Sequence, residues 1–243
     1  MEIKDKLIIA LDFSSFDEVK SFLAKFDLKE PCSPSFVKVG MELFYAEGER
    51  VVNYLKELNL KIFLDLKLLD IPNTVHKSMK ILAQYKPEII NVHALGGVEM
   101  MMRAKEAVQE TSPTTKLIAV TYLTSVSQSI LNNELGVPDD INAAVLRLAR
   151  NASLAGLDGV VSSAMEAELI KSRLPQSFIT VCPGVRFKEH DTYQAQDDQK
   201  RVLSPSEAIA NGADYLVIGR AITKANNPTE AFARAIKECQ VPV

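Results

Sequence analysis

Eight short apolar runs recur along this chain, each parted from the next by a longer amphipathic stretch. The runs are Leu7–Asp12, Phe36–Gly40, Ile62–Lys67, Ile89–Ala94, Lys116–Leu123, Gly159–Ser163, Phe178–Val185 and Ala213–Gly219. Most are continuous rather than alternating in hydrophobicity, which predicts parallel strands covered on both faces. The stretches between them begin with "FDEVKSFLAKF", "FYAEGERVVNYLKEL", "TVHKSMKILAQY" and "GVEMMMRAKEAVQE". "DINAAVLRLARNASLAG", "AMEAELIKSRL", "SPSEAIANG" and "PTEAFARAIKE" follow. Their apolar residues recur at three- and four-residue spacing, the mark of helices with one buried face. "SPSE" from Ser204 to Glu207 predicts a capping box with Pro at the first helical position, and Gly212 suits the helix C-terminus.

Eight β/α units without a break in composition predict an α/β chain that forms a single (β/α)8 TIM barrel over residues 1–243. The active site of such a barrel lies at the C-terminal strand ends. A doubly wound open sheet is the alternative, but the early GxGxxG turn of a dinucleotide fold is missing. The longest irregular stretch is Arg186–Arg201, and a loop of that length is usually functional or mobile.

Composition removes several classes of function. Apolar residues make up 47% and charged residues 24%, which is ordinary for a soluble globular protein. The formal net charge of −3 supplies no basic field for nucleic acid. Cys32, Cys182 and Cys239 are odd in number and widely spaced, with no CxxC pair, which fits a reducing, cytoplasmic setting. His76, His93 and His190 lack HxH or HxxxH partners, which argues against zinc. The apolar run in "MEIKDKLIIALDF" is too short for a signal segment or a membrane span.

Polar residues at the ends of the predicted strands are the candidates for chemistry. Asp12 ends the first run, where it either caps a turn or joins a site. Lys38 sits inside "FVKVG", and lysine is seldom buried without a partner. Asp65 and Lys67 are two apart on the third run, hence on one face, while Leu64 and Leu66 point toward the helices. His93 reads as structural or supporting, and Thr124 and Ser125 either cap a short helix or line the site. Asp65 and Asp70 flank Lys67, and nearby negative charge holds a lysine as an ammonium. Such a group serves as a proton donor and stabilises a developing carbanion, but is no general base. "CPGVR" and "YLVIGRAI" place a glycine and an arginine, Arg186 and Gly219-Arg220, where barrels of this type bind phosphate.

Taken in order, "LIIALDF", "FVKVG", "FLDLKLLDIPNTV", "NVHALGG", "TYLTS", "GLDGVV", "CPGVR" and "YLVIGRAIT" resemble the orotidine 5′-phosphate decarboxylase family across nearly the whole chain. The DxKxxDIPNT string is its most specific element. The resemblance implies a homodimeric barrel that converts orotidine 5′-monophosphate (OMP) to UMP and CO2 in de novo pyrimidine synthesis, with no metal and no cofactor. It implies Lys67 as proton donor to C6, Asp65 beside the substrate carboxylate, and Lys38 and Asp12 on the ribose hydroxyls. Asp70 and Thr74 would enter the site from the neighbouring subunit. Thr124 would meet the pyrimidine edge, and Arg186, Gly219, Arg220 and a glutamine would hold the phosphate. That glutamine is assigned to Gln199, with Gln194 and Gln196 nearby, because "KRVLSP" continues the family's run into the next helix. Many bacterial relatives place it about nine residues after the arginine, against thirteen here. Metal-dependent sugar-phosphate lyases and 3-keto-acid decarboxylases share the DxKxxD string, but they typically carry a magnesium-binding glutamate where this chain has Lys38.

Overall fold

The structure is a computed structural model, and it describes residues 2–30, 32–187 and 202–241. Its strands are β1 (Leu7–Ala10), β2 (Phe36–Gly40), β3 (Lys61–Leu68), β4 (Ile89–His93), β5 (Lys116–Val120), β6 (Gly159–Val161), β7 (Ile179–Cys182) and β8 (Tyr215–Ile218). Each pairs in parallel with the next, and β8 returns to β1 through Leu7↔Leu216 and Ile9↔Ile218, so the sheet closes into a barrel. The predicted (β/α)8 barrel is the observed fold.

Two layers of apolar side chains explain why the runs are continuous. Ile8, Phe36, Phe63, Ile89, Ile118, Val181, Tyr215 and Val217 form a cluster that fills the barrel interior. Leu7, Ile9, Val37, Val39, Leu64, Leu66 and Ile90 belong to the larger cluster beneath the helices. Alternate residues of one strand thus enter opposite layers, and both layers exclude water. At Gly159 in β6 the wall is so close that an added Cβ would lie 2.2 Å from the Ile179 carbonyl oxygen. No larger residue fits there without displacing backbone.

The α-helices are α1 (Phe16–Leu23), α2 (Met41–Glu47), α3 (Glu49–Glu57), α4 (Pro72–Ala83), α5 (Gly97–Thr111), α6 (Ile141–Leu154), α7 (Ala164–Arg173), α8 (Pro205–Ala210), α9 (Arg220–Thr223), which lines the barrel mouth, and α10 (Pro228–Gln240). The capping box is present: Glu207 N–H donates to Ser204 Oγ, and Ser204 N–H donates to Glu207 Oε2 at 2.9 Å. Gly212 follows with φ +89°.

Two expectations need correction. "FYAEGERVVNYLKEL" is not one helix but α2 and α3, broken at Gly48 with φ +56° and ψ −133°. That backbone suits glycine and cannot continue a helix. Several strands also stop short of their apolar runs: β1 ends at Ala10, β5 at Val120 and β8 at Ile218. The residues just beyond, including Asp12 and Thr124, leave the ladder and become the mouth of the barrel.

Candidate active site

A cavity of about 640 Å³ opens at the C-terminal ends of the strands. It lies within the ordinary size of small-molecule sites. Asp12, Lys38, Asp65, Lys67, Thr124, Arg186, Gly219 and Arg220 all line it. Residues from β1, β2, β3 and the segments after β5, β7 and β8 therefore line one cavity.

The strand-end charges form one chain. Asp12 Oδ1 lies 2.8 Å from Lys38 Nζ, which lies 3.3 Å from Asp65 Oδ2. Asp65 Oδ1 lies 2.8 Å from Lys67 Nζ. The central pair is buried: the Lys38 and Asp65 side chains are 11% and 10% exposed. Burial alone would raise the Asp65 carboxyl, but the Lys38 and Lys67 ammoniums outweigh it and hold Asp65 below its ordinary range. Burial would likewise lower Lys38, but Asp65 and Asp12 prevail and raise it. Both therefore carry charge at neutral pH. Gly40 makes room for this pairing, since a Cβ there would lie 3.1 Å from Lys38 Nζ and 3.2 Å from Asp12 Oδ1.

Local geometry delivers Lys67 to the cavity. Its φ is +52°, in the left-handed region that side chains other than glycine seldom adopt. The β3–β4 register breaks here, passing from Leu64↔Ile90 to Leu68↔Val92. Three residues of β3 thus face the single residue Asn91 of β4, a bulge that re-aims a side chain. His93, at the end of β4, accepts a hydrogen bond at Nδ1 from Leu95 N–H at 3.3 Å. Its burial and the nearby Lys67 keep it below the usual histidine range.

Cationic side chains outnumber acidic ones in the lining. Lys38, Lys67, Arg186, Arg220 and Lys224 stand against Asp12 and Asp65. The cavity therefore suits a ligand with several negative charges. Gly184, with φ +76°, turns the chain after β7 toward Arg186, and Gly219 follows β8 immediately before Arg220.

Two expected residues lie elsewhere. Asp70 is exposed, does not line the cavity, and accepts at Oδ1 from Ile71 N–H at 2.6 Å. Among the described residues the ion pair of Lys67 is with Asp65, so Asp70 does not flank it within one chain. Thr74, in the first turn of α4, is also exposed and outside the cavity. Gln199, like Gln194 and Gln196, falls outside the described residues, as does most of Arg186–Arg201. Sequence reasoning passed over Asn91, Gly40, Tyr122 and Lys224. Asn91 carried a signal, being an amide within the apolar run "IINVH". Tyr122 and Lys224 carried none, because nothing local marks them as lining a mouth built by distant strands.

Among the described residues, no group of three or more His, Cys, Asp or Glu is arranged to hold a metal ion. None of the described helices is long and apolar enough to cross a membrane.

Fold and cavity together define a (β/α)8 barrel with a charged, predominantly cationic cavity at the strand C-termini. A profile of the orotidine 5′-phosphate decarboxylase / HUMPS family matches residues 5–235. The chain is 47% identical over 239 residues to orotidine 5′-phosphate decarboxylase of Lactococcus lactis subsp. cremoris strain SK11, spanning 97% of this chain and 98% of the relative. It is 46% identical over 236 residues to the enzyme of the same name from Staphylococcus aureus strain N315, with coverage of 97% and 98%. Among solved structures, orotidine 5′-phosphate decarboxylase from Lactobacillus acidophilus superposes with a TM-score of 0.83 at 36% identity, covering 97% of this chain and 99% of that one. An uncharacterised conserved protein from Geobacillus kaustophilus gives 0.82 at 42% identity, with coverage of 96% and 100%. The chain belongs to the orotidine 5′-phosphate decarboxylase family.

Proposed function

We propose that this protein converts OMP to UMP and CO2 in pyrimidine biosynthesis, and that it does so without a metal or organic cofactor. The observation that carries this reading is the Asp12–Lys38–Asp65–Lys67 chain within a cavity that also holds Arg186 and Arg220. The substrate bears a carboxylate near the reacting carbon and a phosphate remote from it, so it needs charge at two places.

When the C6–carboxylate bond breaks, CO2 leaves and the electron pair stays on C6. Lys67 Nζ then delivers a proton to C6, and the amine regains one from solvent. A preorganised ammonium meets the developing charge without reorganising at the moment of reaction. Asp65 beside the substrate carboxylate adds repulsion that raises the ground state. We assign the larger share to the ammonium. Lys38 and Asp12 contact the ribose hydroxyls, and Thr124 meets the pyrimidine edge. Arg186, Gly219, Arg220 and Gln199 hold the phosphate. Its binding energy is spent on lowering a barrier elsewhere in the substrate.

Asp70 and Thr74 complete the site of a second subunit in a homodimer. Their exposure outside their own cavity supports this, as does the apolar flank of Asp70, where Leu69 is 52% and Ile71 66% exposed. Lys38 occupies the place where metal-dependent relatives keep a glutamate, which supports a metal-free reaction. Widely spaced, free cysteines support a cytoplasmic location.

The test is OMP decarboxylation followed by ultraviolet absorbance, with and without EDTA. Equal rates are expected in both. Lys67→Ala is expected to lose nearly all turnover while still folding and binding UMP. Turnover near the wild-type rate in that variant would remove Lys67 from the mechanism.

A further inference from the structure

Asn91 lies in the middle of β4 and is fully buried, 0% exposed, among apolar residues. A buried amide is costly unless its polar atoms are paired. Both ends of this one are paired, and both partners belong to the reactive strand. Asn91 Oδ1 accepts from Lys67 N–H at 2.8 Å. Asn91 Nδ2 donates to Asp65 Oδ1 at 2.6 Å. The orientation of the amide is unambiguous, because a backbone N–H can only donate and a carboxylate can only accept.

We propose that Asn91 is a positioning residue for the decarboxylation, holding Asp65 and Lys67 in their reactive arrangement through one side chain. The inference rests on the role given to Lys67 above. At the bulge, the Lys67 N–H has lost a regular strand partner, and Asn91 Oδ1 takes that place. This bond holds a left-handed backbone conformation that a residue with a Cβ seldom adopts. The other half of the amide fixes the same oxygen of Asp65 that pairs with Lys67 Nζ. The ammonium is thereby located from both sides, through its backbone and through its counter-ion. A misplacement of about 1 Å at a reacting group costs on the order of 100-fold in rate.

Two variants separate positioning from simple support of the fold. Asn91→Ala removes both bonds and should lower kcat about 100-fold. Its dissociation constant for UMP should change by less than about 10-fold, because the phosphate contacts stay intact. Asn91→Asp is nearly isosteric and gives the sharper test. As a carboxylate it accepts from Lys67 but cannot donate to Asp65. With a proton it does both, as the amide does. The charged groups of this network are Asp65 and Lys67 from β3, which Asn91 contacts directly, then Lys38 from β2, paired to Asp65, and Asp12 after β1, paired to Lys38. Two carboxyls at this spacing share one proton, so the new group takes it up above the ordinary carboxylate range. The Asn91→Asp enzyme should therefore be slow at pH 8 and recover as pH falls, while the wild type shows no such gain.

Wild-type kcat in Asn91→Ala would overturn the proposal. So would an Asn91→Asp enzyme equally impaired at every pH with UMP affinity lost in proportion, since that is the signature of a damaged fold. Crystal structures supply a readout that does not depend on turnover. In Asn91→Ala, Lys67 should leave the left-handed region and its Nζ should separate from Asp65. An unchanged Lys67 would overturn the proposal whether or not the wild type decarboxylates OMP.

Discussion

Replacing Lys38 with methionine tests whether the buried carboxylate of Asp65 depends on its neighbour for its place in the fold. Methionine keeps most of the length and apolar stem of lysine and removes the charge with its hydrogen-bond donors. The 3.3 Å separation from Asp65 corresponds to an attraction of about 5 kcal/mol at an effective dielectric near 20, before desolvation. Asp12 contributes little, because its side chain is 59% exposed and water replaces its partner. Asp65 has no such recourse at 10% exposure. Removing one member of a buried pair typically costs about 3–5 kcal/mol. Lys67 and Asn91 still hold Asp65, so the lower end applies and Lys38→Met should lose about 3 kcal/mol. In urea unfolding at pH 7, with a slope of about 2–3 kcal/mol per molar, the midpoint falls by about 1 M or more. The decisive variant is the double mutant. Asp65→Asn removes the stranded charge, so Lys38→Met with Asp65→Asn should be more stable than Lys38→Met alone, by about 2 kcal/mol. A loss below about 1 kcal/mol in the single mutant, typical of a surface pair, would refute the reasoning. A double mutant less stable than Lys38→Met would do the same.

Arg220→Ala should raise KM for OMP about 10- to 100-fold, the range for losing a charged hydrogen bond, and leave decarboxylation of phosphate-free orotidine unchanged. Equal effects on the two substrates would remove Arg220 from the phosphate site. Mixing Asp70→Ala with Lys67→Ala subunits should restore about a quarter of the wild-type sites through random assortment into two-fold dimers. Verified hybrids without activity would rule out a shared site. Stability should also fall at both ends of the pH range. Asp65 is depressed below its ordinary 3.8, so its contribution is complete above that value and is lost as pH falls through the folded-state pKa. Lys38 is raised above its ordinary 10.5, so its contribution is complete below that value and is lost as pH rises through the folded-state pKa. Urea midpoints across pH 2–12 measure both limbs, and Asp65→Asn should flatten the acid one.

Much of the barrel was legible because its signals are local. A parallel strand buried on both faces has to be an apolar run, and a helix on the outer layer has to repeat at three and four residues. Eight such pairs leave few ways to close a sheet. The charges were legible for the converse reason, since lysine and aspartate inside apolar runs are too costly to stand alone. Asp65 and Lys67 were assigned to one face from a spacing of two, and they do share the cavity. The regular alternation behind that assignment breaks at Lys67, however, where φ is +52°.

Sequence by itself therefore determined the order of elements, the two apolar layers of the barrel and the set of charges at its mouth. Each follows from a burial cost that acts on one segment at a time. Only the tertiary structure decided that Asn91 bridges Asp65 and Lys67, that Gly40 leaves space for the Asp12–Lys38 pair, and that Asp70 turns away from its own cavity. These depend on register between neighbouring strands and on backbone dihedrals at single residues. The first two rest on contacts between residues 24 and 26 positions apart, and no local pattern encodes such contacts.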